Sequence, residues 1–477
     1  MALRRQVSDS EATYEDPKYG INLREAEENL RSGEARLMIN CFNNGGTVLR
    51  TGSTRLTSAS LNSSQRIRGG HKYYYGGASP TGKRLVAYGG TISVIANNGA
   101  ETVLNTGMTS DLDTFFTTWS ITDTAYIANN TDVIRKYDGT TFSTVSGTNI
   151  PVARTGVVPI LDRLMCITTN GIERTDPRVD SIWSSNSSWA TLRPIRGGLF
   201  THIHPWTVRG TDTLYPGLIA LQANAYYVVT GTDFGSSATA ASPPTGEDSS
   251  IRLLDPNIGT SSPYSVETVP GVGMFWFTSD LNVYFLPEGG LIGRLIGENL
   301  RSTGSTAGIE SCNTAAINQV VMRYFYPWLI LGIPTGSDTW CSRYFLLDIR
   351  ALTHPSVLGL NGPTIVWYGP MTGWTVSRFW AETQNGENAL YGGEGKAANG
   401  AYVYTMFPSG TYTDAQGSTD AAVAMEYQTY FKGFGFPSRE KYLREIHLDL
   451  NAYAGNPTVD VFDLDGAVIS NATISSV

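Results

Sequence analysis

Cysteine is scarce: the 477 residues hold only Cys41, Cys166, Cys312 and Cys341, none in a CxxC pair or at ligand spacing from a histidine. That excludes a disulfide-built scaffold, a dithiol redox motif and a cysteine-rich zinc site, and predicts four free thiols in a protein made in a reducing cytosol. Charge is scarce too, at 16% of residues, with 7 lysines against 27 arginines. Long apolar runs are missing, and the opening Met1 to Gln6 lacks the apolar stretch of a signal peptide. The expectation is a soluble chain that is not exported by the ordinary route. Helix-forming stretches are nearly absent: only Tyr19 to Leu37 qualifies, through Arg24 to Arg31 (REAEENLR) with Glu27 four residues before Arg31 and Gly33 as a stop. Catalytic signatures are missing as well. No GxSxG elbow, HExxH helix, phosphate loop ending in GK[ST] or close acid pair stands out, so no catalytic or cofactor-binding residue is assigned and no enzyme activity is expected.

What is present is abundant glycine (51 residues) and 52 aromatics spread over short apolar bursts. Such a profile fits many short strands joined by polar turns. A phrase recurs: an apolar burst, a small-polar turn, then a second burst. It surrounds Ile95, Ile127 and Ile167. A repeat of this length predicts a β-propeller, because one small sheet cannot bury both its faces alone. The expected fold is therefore all-β, a propeller of about six to eight blades with an N-terminal arm containing a short helix and a small C-terminal β element.

The boundaries follow from composition. Residues 1–60 read as the arm, with the helix and then a hairpin across the Asn-Gly turn between Ala35 and Arg50; 61–420 read as the propeller; 421–477 read as a C-terminal β element with a hairpin over 458–469, which either docks on the propeller or a neighbouring subunit or is part of an incomplete domain. The segment 231–250 is rich in Gly, Ser, Ala and Pro and reads as a long exposed loop. Leu291 to Arg301 reads as either a helix or a connection on the propeller rim.

Net charge is −8 with a pI near 5.3, which gives no indication of a general nucleic-acid-binding surface. Residues 1–85 carry 13 basic against 8 acidic residues, and residues 378–477 carry 6 against 12. The two ends face different partners or each other, or the imbalance is one of solvated faces. The arginine excess suits bidentate pairs at subunit contacts.

Weaker features have plain explanations. His202 and His204 share a strand face as a metal pair would, yet no third ligand is near in sequence, and strand-end packing is preferred. Asp463 to Gly466 (DLDG) has the look of a calcium loop but lacks its first and twelfth ligands, so a turn is preferred. Tyr73, Tyr74 and Tyr75, beside His71 and Lys72, read as an aromatic rung rather than a base-stacking platform. Tyr391 to Lys396 (YGGEGK) reads as a turn between strands. No metal site is assigned.

Two stretches carry a family resemblance. Gly20 to Arg24 (GINLR), Leu30 to Ala35 (LRSGEA), Asn40 with Cys41 and Thr47 to Gly52 (TVLRTG) resemble the opening of bacteriophage tail nozzle proteins of the tail tubular protein B type. Phe431 to Phe436 (FKGFGF) and Lys441 to Asp449 (KYLREIHLD) are similar to the segment after the propeller in that group, whose members continue through several more strands. The resemblance implies a structural virion protein of short-tailed phages, made in the host bacterial cytoplasm. Its implied partners are copies of itself in a homohexameric ring, an adaptor ring on the portal side, tail fibre or tail-tip proteins, and double-stranded DNA in transit without specific binding. An acidic chain with few lysines would let DNA slide, because each neutralised phosphate adds to affinity. The arginines of the basic arm, Arg24, Arg31, Arg36, Arg50 and Arg55, are the interface candidates. The alternative is a propeller lectin or adhesin that binds host glycans on exposed Trp and Tyr. A propeller glycosidase is weaker still, with Asp280 and Glu288 as arbitrary nominees.

Overall fold

The computed structural model describes residues 17–25, 29–44, 46–62, 64–76, 81–184, 192–209, 214–231, 249–302, 307–384, 387–429, 458–462 and 468–473. The chain divides into Thr13–Lys432 and a unit drawn from both ends, Met1–Ala12 with Gly433–Val477.

The larger unit is a β-propeller of seven blades, each an antiparallel meander. Blade 1 holds Ile67–Tyr75, Thr81–Tyr88, Thr91–Ile95 and Glu101–Asn105; blade 2 holds Phe115–Trp119, Thr124–Ala128, Arg135–Tyr137 and Phe142–Thr144. Blade 3 shows three described strands, Val157–Ile160, Arg163–Thr168 and Gly171–Arg174. Blade 4 holds His202–Arg209, Leu214–Leu221, Tyr226–Gly231 and Ser249–Asp255; blade 5 holds Val266–Val269, Gly273–Phe277, Val283–Pro287 and Arg294–Leu295. Blade 6 holds Val321–Phe325, Trp328–Ile333, Arg343–Asp348 and Trp367–Met371. Blade 7 combines Val376–Gln384, Glu387–Glu394 and Val403–Met406 with Ser53–Arg55 from the N-terminal side. First strands pack against first strands of successive blades and so line the axis.

Burial explains why these strands appear in sequence as bursts rather than alternations. The second strand of each blade is covered on both faces by neighbouring blades, and Thr124–Ala128, Gly273–Phe277 and Trp328–Ile333 are buried at every position. Outer strands such as Glu101–Asn105 are more exposed and mix polar with apolar residues. Successive residues of a second strand point to opposite neighbours. Leu85 and Ala87 of blade 1 meet Ala125 and Ile127 of blade 2, while Tyr126 and Ala128 meet Leu164 and Cys166 of blade 3. Met165 and Ile167 in turn meet Leu218 and Ala220 of blade 4.

This parity corrects the repeat read from sequence. Ile127 and Ile167 both lie in second strands, but Ile127 faces the preceding blade and Ile167 the following one; Ile95 ends a third strand and packs toward blade 7. The second strands begin at Thr81, Thr124, Arg163, Leu214, Gly273, Trp328 and Glu387, at intervals from 39 to 59 residues. Unequal connections blur the period, because each blade needs a matching sheet and not a matching length.

Three further expectations are adjusted. The helix over 19–37 is not seen in its described part: Pro17 to Glu25 runs through turns and bends, Ile21 bridges Ala35, and a strand starts at Ala35. The described part of the arm is joined to the propeller unit, since Ser53–Arg55 completes blade 7 and Ala35–Ile39 pairs with Glu426–Thr429 just after the last blade. The stretch around Leu291 is a rim connection with the two-residue strand Arg294–Leu295 and a 3-10 turn at Glu298–Leu300. The Asn-Gly hairpin forms as expected between Cys41–Asn43 and Thr47–Leu49, and Thr458–Phe462 pairs with Val468–Thr473. The loop between the paired ends Gly231 and Ser249, the Asp463 to Gly466 turn and the Lys441 to Leu450 strand lie outside the described residues.

Candidate functional site at the propeller axis

In a meander the first and third strands start on one face, so the connections between blades and the turns from second to third strands share that face. At its centre five blades meet through one polar cluster. Arg378, on the first strand of blade 7, places Nη2 2.6 Å from Asp113 Oδ1 and 3.1 Å from Gln319 Oε1, with its guanidinium 3.7 Å over the Tyr264 ring. Gln319 donates to Asp113 Oδ2 at 3.0 Å, and Arg68 on blade 1 pairs with Asp111 and Asp113. The Tyr264 hydroxyl donates to the Thr114 carbonyl at 3.0 Å, and its ring stacks on Phe115 at 4.5 Å. Asp113 leads into blade 2, Tyr264 into blade 5 and Gln319 into blade 6. Burial alone would raise the Asp113 carboxyl, but Arg378 and Arg68 outweigh it and hold the group below its usual range. Side chains at these distances close the axis at this end.

Three histidines stand on first strands that line the axis. His71 Nε2 is 2.8 Å from Thr118 Oγ1, with its ring parallel to Phe116. His204 Nε2 is 2.6 Å from Thr268 Oγ1 of the next blade, and its ring centroid lies 5.9 Å from that of His202. Burial pushes His71 and His204 down to about 4 and His202 down to about 3, with Arg323 adding to the effect on His71 and His204 to that on His202. Arg323 lies 3.5 Å from Glu267, whose carboxyl is raised by burial against the pull of that arginine. Among the described residues no cluster of His, Cys, Asp and Glu is arranged to hold a metal ion. His71 and His204 hydrogen-bond threonines of the neighbouring blades, whereas His202 Nε2 is buried without a hydrogen-bond partner among the described residues.

The five arginines singled out in the sequence have separate surroundings. Arg50 is fully buried: it forms a two-pronged pair with Asp414 at 2.9 and 2.5 Å, donates to Asn40 Oδ1 at 2.9 Å and stacks 4.3 Å from the Trp374 ring. It fastens the ring closure inside the chain, which withdraws it as a subunit contact. Arg55 pairs with Asp420 at 2.6 Å, Arg24 lies 3.3 Å from Glu298, and Arg31 pairs with Glu34 at 2.9 Å and covers Tyr19. Arg36 donates to the carbonyls of Leu23 and Glu25. Much of the arginine excess is spent internally, because a planar guanidinium can bridge blades with several donors at once. Arg84 does so too: it reaches across from blade 1 to the buried Glu382 of blade 7, which also takes Lys72, while stacking 4.1 Å from the Tyr391 ring.

The remaining sequence candidates have structural roles. Tyr73 is buried, stacked on Tyr75 and edge-on to Tyr137 of blade 2, the expected aromatic rung. The turn expected over 391–396 is mostly strand: Tyr391 to Glu394 end the second strand of blade 7 and only Gly395 with Lys396 open the connection to the third, with Glu394 accepting from the Lys396 backbone at 2.8 Å. Asp280 is held within its own turn by Thr278 and Asn282. The residues sequence reasoning missed are Tyr264, Asp113, Gln319 and Arg378; they come from separate connections, and no local motif joins them.

All four cysteines are free and buried; burial pushes Cys41, Cys312 and Cys341 up to about 12 and Cys166 well above its ordinary value. Alkylation of the native protein at pH 8 is therefore expected to leave all four unlabelled, and unfolding to expose all four, as read by intact mass. Rapid native labelling of any one would contradict this placement.

No protein-family model matches the chain, and no curated protein is similar to it in sequence. Among solved structures it is similar to the computationally designed Ika8 protein (10% identity, 74% of this chain and 99% of that one, TM-score 0.38) and to YCF48 from Cyanidioschyzon merolae (9%, 76% and 100%, 0.39). It is also similar to the WD40 β-propeller domain of Doa1 (8%, 75% and 98%, TM-score 0.40). At such identities these likenesses carry nothing about function.

Proposed function

We propose that the protein is a non-enzymatic structural subunit of a phage tail nozzle, assembling as a homohexameric ring in the virion through which DNA leaves. The observation that carries this reading is how the opening segment with the family resemblance is bound to the end of the propeller; the second such segment, Phe431 to Asp449, lies outside the described residues. The opening segment, through Ala35–Ile39, pairs with Glu426–Thr429, just after the last blade. Arg50, from the stretch Thr47 to Gly52, grips Asp414. The propeller is thus a scaffold whose ring is fastened by the opening segment, and a scaffold fixed in this way suits a ring subunit.

The closed axis bears on where DNA would run. Tyr264, Arg378, Asp113 and Gln319 stand in mutual contact at the propeller centre. In this reading the conduit is the space enclosed by several subunits, and the propellers form its wall. Arg24, Arg31, Arg36 and Arg55 remain candidates for subunit contacts, and the adaptor ring and tail-tip proteins are the further partners. The lectin alternative in its aromatic-platform form has less support: the exposed large aromatics among the described residues are Tyr326 and Tyr412, with no tryptophan beside them.

Size-exclusion chromatography with light scattering tests the ring. Six copies of the 51.7-kDa chain give an expected mass of about 310 kDa, with sixfold density around a channel in electron micrographs. A protein that stays a 51.7-kDa monomer at all concentrations and in the presence of its tail partners contradicts the reading.

A further inference from the structure

On the same face as the axial cluster, a cleft of about 340 Å³ opens between blades 2 and 3, lined mainly by polar side chains. Its frame is fixed by backbone. Asn130 and Asn149 take left-handed conformations (φ 66° and 57°), which asparagine tolerates, and so turn the chain around the rim. The Asn130 amide donates to the Ala153 carbonyl at 3.0 Å and the Arg154 amide to that of Ile167 at 2.8 Å, tying the connection to both blades. Asn130, Asn149, Asn170, Thr168, Arg154 and Glu173 line the cleft, with Val152 on its apolar side.

Glu173 is the unusual member. It is only 4% exposed, and Thr168 Oγ1 donates to its Oε1 at 2.9 Å. It forms no ion pair among the described residues, although Arg154 lines the same cleft. Arg154 in turn has a buried Nε without an acceptor among the described residues. A buried carboxyl lacking a cation and a guanidinium nitrogen lacking an acceptor are each costly unless a guest completes them. Burial raises the Glu173 carboxyl, which fits a group that no cation neutralises.

The donor and acceptor set selects the guest. An anion would face Glu173 and a cation would face Arg154, whereas a neutral polyol offers hydroxyls that donate to the carboxylate and accept from the guanidinium. Three amides, each both donor and acceptor, suit neighbouring hydroxyl groups. The volume lies at the small end of ligand sites, roughly 300–1,000 Å³, which suits a mono- or disaccharide. We propose that the cleft between blades 2 and 3 is a neutral-saccharide site, with Glu173 accepting from hydroxyls, Arg154 and the asparagine amides donating, and Val152 against the sugar's apolar face. This site stands independently of the ring: either can fail without the other.

The test is saturation-transfer NMR and calorimetric titration of the full chain with glucose, galactose, N-acetylglucosamine and their β-linked disaccharides up to about 10 mM. At least one is expected to bind with a millimolar or tighter Kd at a salt-independent affinity. Glu173→Gln, which keeps the shape and removes the charge, is expected to weaken it tenfold or more; Val152→Trp, which fills the mouth from a partly exposed position, is expected to abolish it. Unchanged melting temperatures in both variants would show that the fold is intact. No response from any saccharide at that concentration overturns the proposal, as does wild-type affinity in both variants. Salt-dependent binding of a charged peptide that both variants lose, without a saccharide response, would also overturn it.

Discussion

Replacing Asp414 with alanine is expected to destabilise the propeller by about 3–5 kcal/mol, the usual cost of removing one partner from a buried ion pair. The size follows from what remains. Arg50 has no exposure to solvent, and without Asp414 its charge would face only Asn40, the carbonyls of Thr51 and Thr372 and the Trp374 ring. The consequence is more than local, because Arg50 lies just before Ser53–Arg55, the strand that completes blade 7. Loosening it frees the fastening between first and last blades. Gly52 adds to the tightness there: a Cβ would lie 1.8 Å from the Thr413 carbonyl oxygen, so no larger residue fits between the closing strand and the Asp414 hairpin. Urea denaturation is the measurement. A loss below about 1 kcal/mol, the range of exposed pairs such as Arg24 with Glu298, would show that closure does not depend on the buried pair.

Acidification is the second large effect. The folded-state values of His71, His202 and His204 lie at about 4, 3 and 4, below the ordinary value near 6.5 that the unfolded chain keeps. As pH falls through about 6.5 the unfolded chain takes up protons that the folded axis refuses, so stability present above that pH is lost down to about pH 3–4. Each histidine contributes up to ~1.4 kcal/mol per pH unit within that window. Glu267 and Glu173 act in the opposite sense: their raised carboxyls take up protons first in the folded state, so protonating them offsets part of the loss at the acid end. The melting temperature is expected to fall steeply below pH 6.5 and to flatten toward pH 4. His71→Asn with His204→Asn, which keep a hydrogen-bonding group near Thr118 and Thr268, should make the slope shallower by about two protons' worth. A wild-type profile flat from pH 7 to pH 4 would mean that the imidazoles protonate freely in the folded protein.

The strand content was legible because burial on both faces leaves a local trace. Trp328–Ile333 is six consecutive buried positions, and turn residues such as Gly89 with Gly90 and Asn129 with Asn130 bound such bursts. The number and phase of the blades were not legible. Ile127 and Ile167 look alike in sequence, but which neighbour each faces depends on strand parity, and a one-residue shift exchanges the two. The absence of sequence signatures for catalysis was likewise a local reading; Glu173 and Arg154 converge only because the third strand of blade 3 and the connection into that blade meet on one face.

Composition and local pattern by themselves determined that the chain would fold as a radial array of small all-β sheets, because short apolar runs between polar turns can be buried only by stacking. They also flagged that arginine outnumbers lysine 27 to 7. Where those arginines act was decided by the tertiary structure alone. Arg50 meets Asp414 across 364 positions and Arg84 meets Glu382 across 298, distances at which no local pattern carries information. The ring closure brings the two ends of the propeller together, and buried guanidinium groups must then find their carboxylates inside it, since desolvated charge is tolerated only when paired.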